Sequence, residues 1–311
     1  MEGDMSIAEL QERQSWTLHQ KIDHTVGAIE AFVTAMKKKG NGVYVSFSGG
    51  KDSTVLLDIC RRYVDKDMLG VFCNTGNEYP SIVQFVRQTD NIEIIRPKLT
   101  VSQVLATYGF PLVSKEQSQG IRQVRHGKSE KLRNIRLYGT NPEDGNITGK
   151  ISEKWKFLID APFDISEKCC DCLKKRPFSA YEKKTNRRPI LGTMAVESRL
   201  RIQSYVRRGG CNSFKEGKES SHPMSIWTDT DVWAYIRRFD IPYADIYDMG
   251  ANRTGCAFCG FGCHKETISR FWLPFELYPK MYNLFMKYEN NGVTFREALH
   301  YMNIELPDDL L

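Results

Sequence analysis

Val43-Tyr44-Val45-Ser46-Phe47-Ser48-Gly49-Gly50-Lys51-Asp52-Ser53 is the stretch on which the fold turns. Its first five residues are largely β-branched or aromatic, lie between Asn41-Gly42 and Gly49-Gly50, and read as a buried parallel strand. From Thr54 the period changes. Val55, Leu56, Ile59, Cys60 and Tyr63 recur at helical spacing with Asp58, Arg61 and Arg62 opposite them, so a helix is expected from near Ser53. Two glycines at the junction permit positive φ and close approach of a ligand, while the free N–H groups and dipole of a helix start favour an anion. Lys51 adds a full positive charge, and Ser48 and Ser53 add hydroxyl donors. An ordinary strand-to-helix turn would not need Ser, Lys, Asp and Ser around its glycines, so the stretch predicts a phosphate cradle. Its spacing is neither G-x-x-x-x-G-K-[ST] nor G-x-G-x-x-G.

Outward from this stretch, Leu69–Cys73 reads as a second strand, a helix follows from about Ser81, and Ile92–Ile95 makes a third strand. Pro189–Met194 reads as another. Strands alternating with helices give an α/β class with a doubly wound parallel sheet. Ligands of such sheets sit beyond the carboxyl ends of strands, where Ser48–Ser53 and Asn74–Asn77 both fall. Residues 6–38 carry helical patterning through Ile22, Val26, Ile29, Val33 and Met36, and the chain from Lys265 onward is aromatic-rich and reads as helical. The expected division is an N-terminal helical segment over 1–40, a nucleotide-binding α/β domain over 41–265, and a helical tail over 266–311.

A hydrophobic fraction of 41% with 26% charged residues over 311 positions is that of a folded chain. No apolar run approaches the roughly 20 residues needed to span a bilayer, and Met1-Glu2-Gly3-Asp4 does not open a secretory signal. Nine cysteines in that context point to metal or redox chemistry in a reducing cytoplasm rather than to disulfides. His19 and His24 read as surface residues.

From Val113 to Ile159 the regular pattern gives way to a polar stretch punctuated by Gly120, Gly127, Gly139, Gly145 and Gly149, read as an insertion over 113–159. Lys115 to Arg136 holds seven basic residues against two acidic ones, a net of +5 over 22 positions. A solvated basic face explains this, and so does a polyanion such as nucleic acid. The segment has no aromatic residue, so base stacking has little support there.

Six cysteines fall in two groups: Cys169-Cys170-Asp171-Cys172 and Cys256-Ala257-Phe258-Cys259 with Cys263. Cys169-x-x-Cys172 with Cys256-x-x-Cys259 fits a four-thiolate zinc centre, and four thiolates equally hold an iron–sulfur cluster. Downstream, Glu197-Ser198-Arg199-Leu200-Arg201 offers guanidinium forks for oxyanions. Thr228 with Asp231 three residues on marks the start of a helix.

Ser48-Gly49-Gly50-Lys51-Asp52-Ser53 resembles the pyrophosphate loop of the adenine-nucleotide α-hydrolases, a group that includes ATP pyrophosphatases and the adenylyl-sulfate and phosphoadenylyl-sulfate reductases. A Cys-Cys pair followed by basic residues and Pro177, then Gly-Cys-x-x-Cys, is similar to the pattern by which cluster-containing adenylyl-sulfate reductases bind [4Fe-4S]. The resemblance, which extends over about 43–263 and includes Trp227-Thr228 through Ile236, implies a nucleotide bound by Ser48, Gly49, Gly50, Lys51, Asp52, Ser53, Asn74, Thr75, Gly76, Arg199 and Arg201. It also implies a cluster on Cys169, Cys170, Cys256 and Cys259, and favours that set over Cys169/Cys172 and iron over zinc. The nucleotide is ATP or a sulfonucleotide, with or without magnesium, and Lys51 and Asp52 are the expected catalytic residues of the loop.

The family's C-terminal E-C-G-x-H nucleophile is missing, for no cysteine follows Cys263. Without a thiolate the covalent step lacks a nucleophile. Cys263, taken as the catalytic thiol, or Cys211 replaces it, or the reaction differs. Three activities follow: a sulfonucleotide reductase with a relocated thiol and a thioredoxin-type reductant; an ATP-dependent sulfurtransferase acting on nucleic acid through Lys115–Arg136, as in tRNA thiolation or DNA phosphorothioation; or a non-catalytic nucleotide-binding redox sensor.

Overall fold

The computed structural model describes residues 6–140 and 148–309. Met1 to Asp4, Gly145 and the terminal Leu310-Leu311 of the sequence reading lie outside the described residues. The chain forms two compact units. The first takes the chain up to Asn74 together with Pro80–Ile95 and Phe178–Arg253; the second takes Thr75–Tyr79, Arg96–Pro177 and the chain from Thr254.

The first unit is built on a six-stranded sheet: β1 (Gly42–Ser46), β2 (Gly70–Cys73), β3 (Ile92–Ile95), β4 (Arg187–Ile190), β5 (Asn212–Ser213) and β6 (Ser220–Ser221), in the order β3-β2-β1-β4-β6-β5. All neighbours are parallel except β5 against β6. The expected α/β class with a mostly parallel sheet is what the chain adopts. Strand order runs outward from β1 in both directions, so β1 lies at the switch point where such sheets bind ligands. Pro189–Met194 was expected as one strand, but pairing covers only Arg187–Ile190. Leu191 still donates its N–H to the Ser221 carbonyl at 2.8 Å; beyond it the chain leaves the sheet, and at Gly192 it passes so near the helix that follows β1 that a Cβ would stand 3.2 Å from the Asp52 carbonyl oxygen.

Helical patterning over 6–38 resolves into α1 (Ile7–Gln14) and α2 (Leu18–Lys38), each opened by a capping box, from Ser6 and Thr17. Buried on α2 are Ile22, Ile29, Phe32 and Met36, while Val26 and Val33 are only half-buried. The helix after the first strand, α3, runs Lys51–Tyr63 and so begins two residues before the expected Ser53; Tyr63 is 41% exposed, off its buried face. α4 (Pro80–Gln88) buries Ile82 and Val86. Tyr44 of β1 is fully buried with Val71 and Tyr181, and its hydroxyl donates to Glu182 Oε1 at 2.8 Å. The expected Thr228 cap is present: Thr228 Oγ1 accepts from the Asp231 N–H and opens the helix Asp229–Phe239.

The second unit is mainly helical. The stretch 113–159, expected to lack regular structure, holds helices at Lys115–His126 and Glu130–Tyr138 and a 3-10 turn at Glu153–Asp160. Gly127 and Gly139 are the residues that terminate the two helices, whereas Gly120 is buried inside the first. The tail is helical at Trp272–Leu277, Pro279–Met286 and Phe295–His300, and also holds a hairpin, β7 (Glu289–Asn290) with β8 (Val293–Thr294), which its aromatic content did not announce. Buried Asn290 fixes this hairpin, accepting from the Asp164 N–H at 2.7 Å and donating to the Leu105 and Ala106 carbonyls at 3.0 Å each. Phe258 stacks on Phe285 at 4.2 Å in the aromatic core. Val113 adopts φ 60° and pairs with Phe261, its carbonyl accepting from the Gly262 N–H at 2.8 Å.

Candidate functional site

In the first unit, the turn from β1 to α3 uses its glycines differently. Gly49 alone takes the left-handed conformation, at φ +72°, and a Cβ there would meet Val86 Cγ2 at 2.8 Å and Ile82 Cγ2 at 2.9 Å. Gly50 has extended geometry and caps α3 without a side chain. The expectation of positive φ at both glycines is therefore corrected to one. Ser53 Oγ closes the loop on itself: it donates to the Gly50 carbonyl at 2.9 Å, accepts from the Ser48 N–H at 3.1 Å, and lies 3.0 Å from Ser48 Oγ. Ser48 is exposed, whereas Lys51 is only 4% exposed. Lys51 Nζ stands 2.9 Å from Asp52 Oδ1 and 2.5 Å from Asp229 Oδ1. Burial works against its charge, but the two carboxylates prevail and raise its pKa.

The arginines separate. Arg199 is exposed at the start of the helix Arg199–Arg208, while Arg201 is half-buried, pairs with Glu197, and interacts electrostatically with Asp52. Arg201 also lines a cavity of about 180 Å³ with Thr193, Ser204, Arg208, His222 and Ser225. His222 Nδ1 is 2.8 Å from Thr193 Oγ1; burial, then Arg208 and Arg201, push its pKa down to about 3, so at neutral pH it carries no charge. Arg208 donates to Ser204 Oγ at 2.9 Å and has no carboxylate partner among the described residues. Two guanidiniums, a neutral imidazole and three hydroxyls around a space of this size suit a tetrahedral oxyanion. Arg208 and His222 were missed by the sequence reading. The spacing 201, 204, 208 on one helical face carried a signal for the former; His222 carried none. A cavity of about 450 Å³ between α3 and α4, lined by Phe47, Leu57, Arg61 and Phe85 among others, holds none of the loop donors.

Asn74 ends the first unit's β2 segment with its N–H donating to the Ile95 carbonyl at 3.0 Å. Thr75 and Gly76 belong to the second unit. There buried Thr75 donates through its N–H and Oγ1 to the Glu78 carboxylate at 2.9 and 2.8 Å, and Gly76 sits at φ +80°. Glu78 Oε1 in turn lies 3.9 Å from Lys174 Nζ, which interacts with the Cys256 thiol.

Also in the second unit are the clustered cysteines. Lys168–Cys170 forms a short helical turn, followed by a π-helical turn over Asp171–Lys175. Burial raises the Cys169 thiol pKa first, and then Cys256, Cys170 and Cys259, in that order, raise it further. Cys259 is pushed up to about 12 by burial and by Cys256 and Cys170. Cys172 has different neighbours: beyond burial it senses Arg176, Asp171 and Lys168. The fold thus gathers Cys169, Cys170, Cys256 and Cys259 and leaves Cys172 aside. The turn bearing the second pair is pinned by buried Asn77, whose backbone carbonyl accepts from the Ala257 N–H at 2.7 Å and whose Oδ1 accepts from the Phe258 N–H at 3.0 Å. Among the described residues no three His, Cys, Asp or Glu side chains converge closely enough to hold a single metal ion.

The two candidate nucleophiles are both held down. Cys263 is 5% exposed, donates to the Gly260 carbonyl at 3.0 Å, and is pushed up to about 11 by burial. Cys211, in the first unit, lies 3.5 Å from His24 Nε2 and is pushed up to about 12 by burial. His24 was expected at the surface, but its ring is half-buried and meets Trp16 edge-on at 5.6 Å. No described helix is long and apolar enough to cross a membrane.

Comparison with known proteins adds the following. A family model described as phosphoadenosine phosphosulfate reductase domain matches residues 42–260. An uncharacterized protein of Methanocaldococcus jannaschii is 26% identical over 263 residues, which is 83% of this chain and 50% of that protein. A second from the same organism is 24% identical over 238 residues, 76% of this chain and 39% of that one. The chain therefore spans half or less of the length of these two relatives. Adenosine 5'-phosphosulfate reductase of Geobacillus kaustophilus is 24% identical over 247 residues, 76% of this chain and 80% of that enzyme. Among solved structures, phosphoadenylyl-sulfate reductase from Candida auris matches with a TM-score of 0.44 and 14% identity, over 81% of this chain and 96% of that one.

Proposed function

Since this chain belongs to the phosphoadenosine phosphosulfate reductase domain family, we propose that it is an enzyme that binds a sulfonucleotide, adenylyl sulfate or its 3'-phosphorylated form, and reduces its sulfur to sulfite. The observation that carries this reading is the gathering of Cys169, Cys170, Cys256 and Cys259 to the exclusion of Cys172. Four neighbouring thiolates are the donor set of a [4Fe-4S] cluster and equally of a tetrahedral zinc ion; the adjacent pair Cys169-Cys170 followed by the distant Gly-Cys-x-x-Cys favours the cluster by resemblance. An iron–sulfur cluster on these thiolates would supply redox capacity.

The chain's own residues bind and orient. Ser48 to Ser53 receive the phosphate side of the nucleotide, Lys51 and Asp52 order that loop, and Arg201, Arg208 and Ser204 hold an oxyanion. Neither Cys263 nor Cys211 is poised as a thiolate. The attacking thiolate therefore comes from a dithiol reductant of thioredoxin type. It forms a bond to the substrate sulfur as the S–O bond breaks, and adenosine monophosphate, or adenosine 3',5'-bisphosphate from the 3'-phosphorylated substrate, leaves with the electron pair. The reductant's second thiol then displaces sulfite and closes a disulfide.

Anaerobic reconstitution tests both parts. Iron and acid-labile sulfide should be lost on changing any one of the four cysteines to Ser and retained in Cys172→Ser. Absence of sulfite from either sulfonucleotide with a dithiol present rules out the reduction.

A second reading, ATP-dependent sulfur transfer to nucleic acid, is favoured by one feature. The helix Glu130–Tyr138 buries no residue, and exposed Lys115, Lys128, Lys131 and Arg133 have no carboxylate partner among the described residues. Arg122, Arg125 and Arg136 are instead engaged with Glu167, Phe163 and Asp164, and Gln123. Release of pyrophosphate from ATP that depends on added tRNA or DNA would select this reading over the first.

A further inference from the structure

The phosphate loop is not an open anion receptor in this structure. One ammonium, Lys51 Nζ, faces two carboxylates, at 2.5 Å from Asp229 Oδ1 and 2.9 Å from Asp52 Oδ1. Its backbone N–H, at the first turn of α3 where an anion is ordinarily received, donates to the Tyr247 hydroxyl at 2.9 Å. The Gly50 N–H donates to Ser48 Oγ at 3.3 Å and the Ser48 N–H to Ser53 Oγ at 3.1 Å. With two carboxylates on it, the Lys51 ammonium is already neutralised when an anion arrives, and Asp52 has a second cation in Arg201 while Asp229 has only Lys51 among the described ion pairs.

Asp229 stands apart from its companions in this arrangement. It is 63% exposed, whereas Lys51 is 4% exposed. It takes no part in the cap of its helix, which uses Thr228 and Asp231, and it is Asp231 that pairs with Lys21. A carboxylate with water on most of its surface can leave without being stranded, unlike one that is buried.

We propose that Asp229 is an internal competitor for the nucleotide: it holds Lys51 when the loop is empty and is displaced by an incoming phosphate, with the Tyr247 hydroxyl yielding the Lys51 N–H in the same exchange. This rests on the reading that Ser48–Ser53 binds the nucleotide's phosphates, and it makes Asp229 a specificity residue. Displacing one carboxylate favours groups carrying two or more negative charges over singly charged ones.

Inorganic pyrophosphate is the probe, titrated calorimetrically into the full chain and into Asp229→Asn, Tyr247→Phe, Lys51→Ala and the Asp229→Asn/Lys51→Ala double variant. Asp229→Asn should bind about tenfold more tightly than the parent at low salt, with the gain shrinking as salt is added. Tyr247→Phe should also tighten binding, by less. Lys51→Ala should weaken it at least tenfold, and the double variant should show no gain over Lys51→Ala. If Asp229→Asn binds no more tightly than the parent while Lys51→Ala still weakens binding, Asp229 is only a tie between two helices and the proposal fails, although the loop reading survives. If Lys51→Ala changes nothing, the loop reading fails and takes the proposal with it. Asparagine preserves shape and leaves the Thr228 cap intact, and circular dichroism of each variant verifies that it is folded.

Discussion

Lys21 Nζ lies 2.6 Å from Asp231 Oδ2, although 210 residues separate them and Lys21 is only 2% exposed. The same carboxylate oxygen accepts from the Thr228 N–H and hydroxyl at 2.7 Å each. Asp231 is thus at once a helix cap and the counter-charge of a buried ammonium. Removing it strands Lys21 and opens the cap, so Asp231→Ala should lose about 3–5 kcal/mol in urea unfolding. Lys21→Met should lose less, about 1–2 kcal/mol, because Asp231 keeps both Thr228 donors. Equal losses would mean that the pair, not the cap, dominates.

Acid should unfold this protein through His222. In the unfolded chain its imidazole titrates near its ordinary value of 6.5; folded, burial with Arg208 and Arg201 nearby brings it to about 3. Between these values only the unfolded chain binds the proton, so stability contributed by the neutral ring is complete above pH 6.5 and is lost as pH falls toward 3. The slope should approach about 1.4 kcal/mol per pH unit in that window. Denaturation measured at pH 7, 5.5 and 4.5 should show it in the parent and a shallower slope in His222→Gln. Sulfate seated between the arginines should also reduce it.

Cys263 and Cys211 should resist alkylation in the folded protein. Thiols at about 11 and about 12 hold almost no thiolate at pH 7.5. Iodoacetamide labelling followed by mass spectrometry should find both at least about a hundredfold slower than a free cysteine. Rapid labelling of Cys263 would restore it as the nucleophile.

Gly49→Ala should destabilise the first unit by about 1–3 kcal/mol. The added methyl sits at φ +72° and meets Val86 and Ile82 of α4 closer than 3 Å. Thermal unfolding measures this directly. A loss confined to ligand affinity, with stability unchanged, would show that α4 moves aside.

What the sequence made legible was local. The β1 turn and α3, the strands flanking them, and the Thr228 cap are each written within a dozen consecutive residues. Between Cys170 and Cys172 spacing alone did not choose, and only the resemblance did. The π-helical turn at Asp171–Lys175 is likewise beyond what spacing foretells, for an α-helical register does not continue from Cys169 past Cys172. Tyr247 lies 196 residues from Lys51, and no periodicity links it to the loop. The helices of 113–159 were missed for a different reason. Their outward faces are polar and Glu130–Tyr138 buries nothing, so the apolar stripe that announces a helix is thin or absent.

Val113 is a β-branched residue held at φ 60°, a conformation that L-residues of its shape avoid at a cost of about 1–3 kcal/mol. Its carbonyl is what receives the Gly262 N–H at the end of the cysteine-bearing turn. A glycine would adopt that torsion at ease and would also leave it at ease. The valine makes the position intolerant of drift: once the surrounding packing has forced it into place, any loosening of the turn must carry a bulky side chain back through crowded space.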